Sequence, residues 1–296
     1  MKRFFGSLKP ALLACGIAFV SIPSAPARAR AIRGLASVRE TPPTPLVYPS
    51  AEGPTAIGHS HNDFAQEHPL DTALENGYSS VEVDVTDRGG EVSVVHLGLW
   101  TFGTLKTMYL DRLQRLVDEK GSVYGDGRKF TLWIEIRPFI TGAAIVPYLK
   151  KLLDAYPMFA VFGKSGKLLR PGAVEAVVIN DRAREIFANR ETAPACLGTN
   201  GVDTTSAPNE PFECWNYLRW SRYFDWDGTG EMPAGELGRL KALQSAAHAR
   251  GLRTRYWGVP DTPEFWSHVR AMSFLDLVGS DHLRSTMDIL RGITIP

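Results

Sequence analysis

From Thr55 onward, apolar runs of strand length alternate with segments patterned at helical spacing. Period-two or continuous apolar runs predict strands at 55–58, 80–85, 91–95, 130–136, 175–179, 252–257 and 275–279. Apolar residues at three- and four-residue spacing predict helices at 69–77, 104–119, 142–155, 181–189, 234–250 and 262–271. Pro69 suits a first helical turn and Gly77 its stop; Gly251 closes the Ala-rich segment 237–250 in the same way. Strands alternating with helices imply a parallel sheet with crossover helices. Repetition over most of the chain favours a closed (β/α)8 TIM barrel over an open sheet, with an eighth strand expected within 216–224. Hydrophilic insertions at 157–173 and 191–214 interrupt the rhythm, and in a barrel such loops shape substrate choice.

The pattern before Thr55 is different. Lys2, Arg3 and Lys9 precede an apolar stretch from Ala11 to Ile22, and Ala27-Arg28-Ala29 has the form of a cleavage site. That is the layout of a secretory signal over 1–29, with an apolar stretch shorter than the roughly 20 residues a spanning helix needs. Residues 30–54 read as a linker or arm, and 55–296 as the barrel domain of an exported protein without a membrane span. The leader holds four of the 33 basic residues and none of the 32 acidic ones, so cleavage leaves 29 against 32, a net charge near −3. A nucleic-acid partner usually leaves a basic footprint, and this balance argues against one. After export two cysteines remain, Cys196 and Cys214, in one segment rich in turn formers. In an oxidising compartment a bridge would close that segment; the alternative is two buried thiols that never meet.

The chemistry is concentrated where the strands end. Glu82 and Asp84 lie two apart in the run 80–85, so both side chains share one face, about 6–7 Å apart along the strand. Glu135 sits near the end of 130–136, just before Pro138 stops the strand. Groups at the C-terminal ends of parallel barrel strands converge, and three carboxylates suit one hard divalent cation, Mg²⁺ or Ca²⁺. Zinc would call for a Cys/His cluster that the spacing does not supply. His59 and His96 end the first and third runs, and beside an acidic trio they suit acid–base catalysis at working pH. His61, Asn62, Arg137 and Trp257 are the residues expected to meet substrate. For Arg137 the alternative is an ion pair with the acids, and His61 could equally orient His59.

These residues carry a family resemblance. A strand-end His, an E-x-D pair, a His closing the next strand and a later Glu resemble the site of the glycerophosphodiester phosphodiesterase and phosphatidylinositol phospholipase C superfamily. Gly58-His59-Ser60-His61-Asn62-Asp63 looks closest to the altered-inheritance-of-mitochondria branch, and it is also similar to the G-H-x-x-N start of spider phospholipase D toxins. Arg255-Tyr256-Trp257-Gly258-Val259-Pro260 is similar to the family's W-T-V-N strand, and 275–281 to its closing G-V-D-x-I-x-T-D. The resemblance implies a (β/α)8 barrel, a small-molecule or lipid phosphodiester as substrate, a divalent cation on Glu82, Asp84 and Glu135, and catalysis by His59 and His96. Departures fall on the substrate contacts: Ser60 replaces an Arg, Leu97 an Asp and Arg137 a Lys.

Two other readings compete. His59-x-His61 with Asp281 also fits the metal pair of amidohydrolase barrels, which need further His ligands and leave Glu82-x-Asp84 unexplained. A barrel that binds phosphorylated ligands without turning them over is the other. Of the aromatic residues Trp100, Phe102, Tyr109, Trp215, Tyr217, Trp220, Tyr223, Phe224 and Trp226, packing accounts for most and a substrate wall for the rest. The pattern is silent on oligomeric state.

Overall fold

The computed structural model describes residues 56–96, 100–137, 145–180, 182–202 and 209–293. All of them belong to the unit Leu46–Pro296. The expected leader and arm lie outside the described residues.

Eight parallel strands close into a barrel. In order around it they are β1 (Gly58–Ser60), β2 (Ser80–Arg88), β5 (Phe130–Ile136), β8 (Val174–Ile179), β10 (Cys196–Asn200), β11 (Glu213–Arg219), β12 (Arg253–Trp257) and β13 (Leu277–Ser280). β13 returns to β1, pairing His59 with Gly279, and β1 also meets β2 at Ser60 and Val81, so the ring has no open edge. The helices α1 (Asp71–Glu75), α2 (Asp111–Lys120), α3 (Ile145–Asp154), α4 (Ala183–Ile186), α5 (Ala234–Ala249), α6 (Pro263–Val269) and α7 (Leu283–Arg291) follow strands in turn. α7, which the sequence pattern did not predict, buries Leu283, Thr286, Met287 and Leu290, a single stripe at helical spacing.

Two departures from expectation involve strands. The run 91–95 is β3 (Glu91–His96), yet it is no barrel stave: it pairs antiparallel with β2 and then with β4 (Trp100–Thr104), a hairpin that peels away from the ring. The stave that completes the eight is instead β10, inside the insertion 191–214 that reads as hydrophilic. β10 and β11 are joined at their N-terminal ends by the Cys196–Cys214 disulfide, with Cα atoms 5.9 Å apart. Glu175 lies beside these sulfurs, but bridged sulfurs are not thiolate ligands, so that trio is not a metal site. The insertion 157–173 holds β6 (Val161–Gly163) and β7 (Leu168–Arg170), which with β9 (Thr192–Ala193) form a separate small sheet.

Alternation along the staves sorts the core. Outward residues such as Val83, Val85, Ile134 and Ile136 are buried in the layer between barrel and helices. Inward residues are mainly polar and aromatic, with Val177 and Ile179 as aliphatic exceptions in register with Trp133 and Glu135. Trp133 is fully buried, edge-on to Trp215 with ring centroids 5.2 Å apart. Gly198 makes room for it, since a Cβ there would lie 2.6 Å from Ile179 and 3.2 Å from the Trp133 ring. Of the aromatic set, Tyr109, Trp215, Trp220, Phe224 and Trp226 are buried as packing residues, whereas Trp100 and Phe102 on β4 are exposed. No helix among the described residues is long and apolar enough to cross a membrane.

Candidate active site

Parallel register brings the acids together. Asp84 of β2 stands opposite Glu135 of β5, with Glu82 one inward step below, and one oxygen from each of the three lies within 4.8 Å of the others. Their remaining oxygens are held from outside the cluster. Arg255 Nη2 donates to Glu82 Oε1 at 2.8 Å, and Arg137 Nε to Asp84 Oδ2 at 2.8 Å. Arg137 Nη1 also lies 3.0 Å from Glu135 Oε1, which accepts from Asn180 Nδ2 at 3.2 Å as well. Glu82 Oε2 and Asp84 Oδ1 are left buried with no hydrogen-bond partner.

The electrostatics follow from this crowding. Burial raises the Glu135 carboxyl, and the charges of Glu82 and Asp84 raise it further, to about 8, against the pull of Arg137. Burial also raises Asp84, beyond what Arg137 recovers. Burial would do the same to Glu82, but Arg255 and the two neighbouring imidazoles hold it well below the carboxylate range. Two orphaned carboxylate oxygens beside an acid too crowded to ionise are what a hard divalent cation would relieve, so the residues present fit one.

The two histidines of β1 and its following loop differ in depth. His59 is fully buried, its Nδ1 2.8 Å from Ser80 Oγ, and its unpartnered Nε2 4.0 Å from Glu82 Oε2. Burial first and Arg255 second lower its pKa to about 3, so it is a neutral ring near pH 7. His61, one inward step further, keeps 22% of its side chain exposed. Its Nδ1 is 2.9 Å from Asp281 Oδ1 and its Nε2 3.6 Å from Glu82 Oε2. Burial pulls its pKa down, but the bond to Asp281 and the charge of Glu82 outweigh this and raise it. Gly279 passes beneath, where a Cβ would lie 3.4 Å from that of His61.

The other predicted residues fall into place unevenly. His96 sits on the hairpin, its ring 5.6 Å from Phe64, and among the described residues no hydrogen bond or ion pair joins it to His59 or to the acids. Arg137 takes the ion-pair alternative. Asn62 Nδ2 lies 3.0 Å from His61 Nδ1, and its backbone adopts a left-handed conformation at the turn. Trp257 ends β12 one inward step above Arg255, with the Arg219 guanidinium 5.5 Å from its ring centroid. Ser60 points away from the barrel axis and donates to Asp63 Oδ1 at 2.7 Å. Asp63 also accepts from the Leu70 backbone and the Tyr109 hydroxyl, so Ser60 shapes the loop rather than the phosphate contact. Among the described residues, further His ligands such as an amidohydrolase requires do not join the acid cluster: His248 and His268 lie in α5 and α6, and His68 is exposed.

Arg255 is the site residue that strand patterning missed. Only 2% exposed, it pairs with Glu82 and stands 4.7 Å from the Trp133 ring centroid. Its signal was its parity with Trp257 in a strand otherwise buried. Asp281, read from the sequence only as the last acid of the closing motif and in the amidohydrolase alternative, follows β13 and pairs with His61.

Residues 53–128 match the AIM6-like phosphodiesterase domain. That span holds His59, His61, Glu82, Asp84 and His96, and it bears out the resemblance read from those residues; Glu135 and Arg255 lie beyond it. No curated protein matches the chain. Among solved structures, similarity extends to a glycerophosphodiester phosphodiesterase from Agrobacterium tumefaciens, at 12% identity over 80% of this chain and 100% of that one, with a TM-score of 0.48. Phosphatidylinositol-specific phospholipase C from Listeria monocytogenes shares 9% identity over 85% and 97% of the two chains, TM-score 0.49. A putative glycerophosphoryl diester phosphodiesterase from Silicibacter pomeroyi shares 14% over 80% and 94%, TM-score 0.49.

Proposed function

We propose that the protein is an exported, metal-dependent phosphodiesterase acting on a glycerophosphodiester or phospholipid-type diester. One observation carries the reading. Two carboxylate oxygens without partners and an imidazole held by a carboxylate converge on the mouth of a barrel whose first third matches a phosphodiesterase domain. A divalent cation, Mg²⁺ or Ca²⁺, on Glu82, Asp84 and Glu135 would supply Lewis-acid stabilisation of charge on a non-bridging phosphate oxygen. The chain's own groups do the rest. Arg137, part exposed and ion-paired with Asp84 and Glu135, brings positive charge next to a phosphate oxygen bound at the acids. His61 moves a proton at Nε2 while Asp281 holds Nδ1. His96, at the end of β3, supplies the second transfer, and each such transfer is worth roughly 10²–10⁴ in rate. His59, buried beneath His61, keeps a neutral ring against Glu82 and fixes its orientation.

The test is hydrolysis of a panel of glycerophosphocholine, lysophosphatidylcholine and phosphatidylinositol by the purified protein, with and without chelator. Turnover is expected on at least one, lost in chelator and restored by Mg²⁺ or Ca²⁺, and reduced at least about 100-fold in His61→Ala and His96→Ala. Activity indifferent to chelator would remove the acids from the chemistry. Wild-type turnover in His61→Ala or His96→Ala would remove that histidine from proton transfer. Binding across the panel without hydrolysis would favour a ligand-binding barrel.

A further inference from the structure

We infer that Asp261 is a positioning residue for the His61–Asp281 pair, acting through the Asp281 backbone. The inference rests on His61 being the proton-transfer group at the mouth. Asp281 itself is poorly restrained by its surroundings: its side chain is 56% exposed, and an exposed carboxylate gains little from a single charged partner. What fixes it is the main chain. Asp281 N–H donates to Asp261 Oδ2 at 2.8 Å, and Gln66 Nε2 donates to Asp281 O at 3.2 Å.

Asp261 in turn is anchored in the packed layer. Its Oδ1 accepts from Trp266 Nε1 at 2.6 Å, and Trp266 is buried in α6, whose first turn is capped by Thr262 accepting from the Phe265 N–H at 3.2 Å. The Asp261 backbone has a φ of 51°, in the left-handed region that non-glycine residues other than Asn and Asp seldom occupy. Such a conformation persists where surrounding contacts over-determine it, and here both carboxylate oxygens are engaged. A continuous path runs from the α6 core through Asp261 to the Asp281 backbone, from the Asp281 carboxylate to His61 Nδ1, and from His61 Nε2 towards Glu82. Among the described residues no hydrogen bond or ion pair joins Asp261 to the acids or to the imidazole, so its contribution is to angle and distance in the pair beyond it.

Asp261→Asn keeps size and the capacity for left-handed backbone while turning one acceptor into a donor that faces another donor. It is expected to lower the turnover of bis(p-nitrophenyl) phosphate roughly 10–100-fold, the range for a lost supporting hydrogen bond around a site, with KM changing less than about threefold. Independently of turnover, the downfield proton resonance of the His61–Asp281 hydrogen bond should be present in the wild type and lost in Asp261→Asn, as in Asp281→Asn. On an Asp281→Asn background the same substitution should cost nothing further, because its effect is transmitted only through Asp281. Trp266→Phe, which keeps the packing and deletes the donor to Oδ1, should weaken the resonance and turnover in the same direction, and it carries the test should Asp261→Asn not fold. An unchanged resonance in both variants, or a loss of turnover that repeats in full on the Asp281→Asn background, overturns the positioning role. Wild-type turnover in His61→Ala overturns instead the proton-transfer reading beneath it.

Discussion

Arg255 and His59 both lie against Glu82 and the Trp133 ring, and each lends itself to a measurement that needs no substrate. Arg255 and Glu82 are a buried ion pair whose partners have no water to fall back on. Removing one partner of such a pair typically costs about 3–5 kcal/mol, because the other charge is left uncompensated. Arg255→Met should lose about that much in urea unfolding carried out in chelator, and a loss below about 1 kcal/mol would show the pair to be dispensable. The His59 pKa of about 3 lies below its unfolded value of about 6.5. Between these values the unfolded chain binds a proton that the folded chain refuses, so stability present above about 6.5 is lost as pH falls toward 3. His59→Asn should therefore flatten the decline in Tm between pH 7 and pH 5, and parallel declines in variant and wild type would refute it. The residues themselves were unequally legible. Glu82 and Asp84 announce themselves by period two within one short run. Arg255 does not, because only barrel closure sets it opposite a partner 173 residues away. His59 and His61 share parity on β1 and its loop; the sequence pattern points to His59 for proton transfer, whereas His59 is fully buried and His61 is the one that stays part exposed.

Among the elements, the regular staves were readable and the irregular ones were not. β5 and β8 are buried on both faces and read as near-continuous apolar runs, as parallel strands do. β10 has the sequence Cys-Leu-Gly-Thr-Asn, with a glycine that exists to admit Trp133, so its apolar signal is too short to stand out. β3 has a clear apolar signal, but no local property of a strand says whether it joins the ring or folds back as a hairpin. That choice puts His96 at the end of a hairpin strand rather than on a barrel stave. The β10–β11 disulfide is a further expectation at this scale. It links residues 18 apart, and closing a loop of about 15 residues stabilises by about 3 kcal/mol in the chain-entropy account. Cys196→Ser with Cys214→Ser should lower the unfolding free energy by about 2–4 kcal/mol while leaving cation affinity unchanged. A shift in cation affinity would mean that the bridge also sets the geometry of the mouth.

For the molecule as a whole, the acid cluster predicts how a cation and folding are coupled. An ion that binds only the folded barrel stabilises it by about 2.7 kcal/mol at one hundred times its Kd. For a barrel of this size that corresponds to a rise in Tm of about 5–10 °C. Saturating Mg²⁺ or Ca²⁺ should produce such a rise, chelator should reverse it, and Asp84→Asn should largely abolish it; a Tm insensitive to either ion would leave the cluster without a cation. The closure of the ring has a temporal consequence too. His61 follows the first stave and Asp281 the last, and the two staves pair with each other only when β13 arrives. A chain still emerging from a ribosome therefore carries its acids and imidazoles without the carboxylate that pairs with His61. On the function proposed above, the site is completed by the last barrel strand to be made.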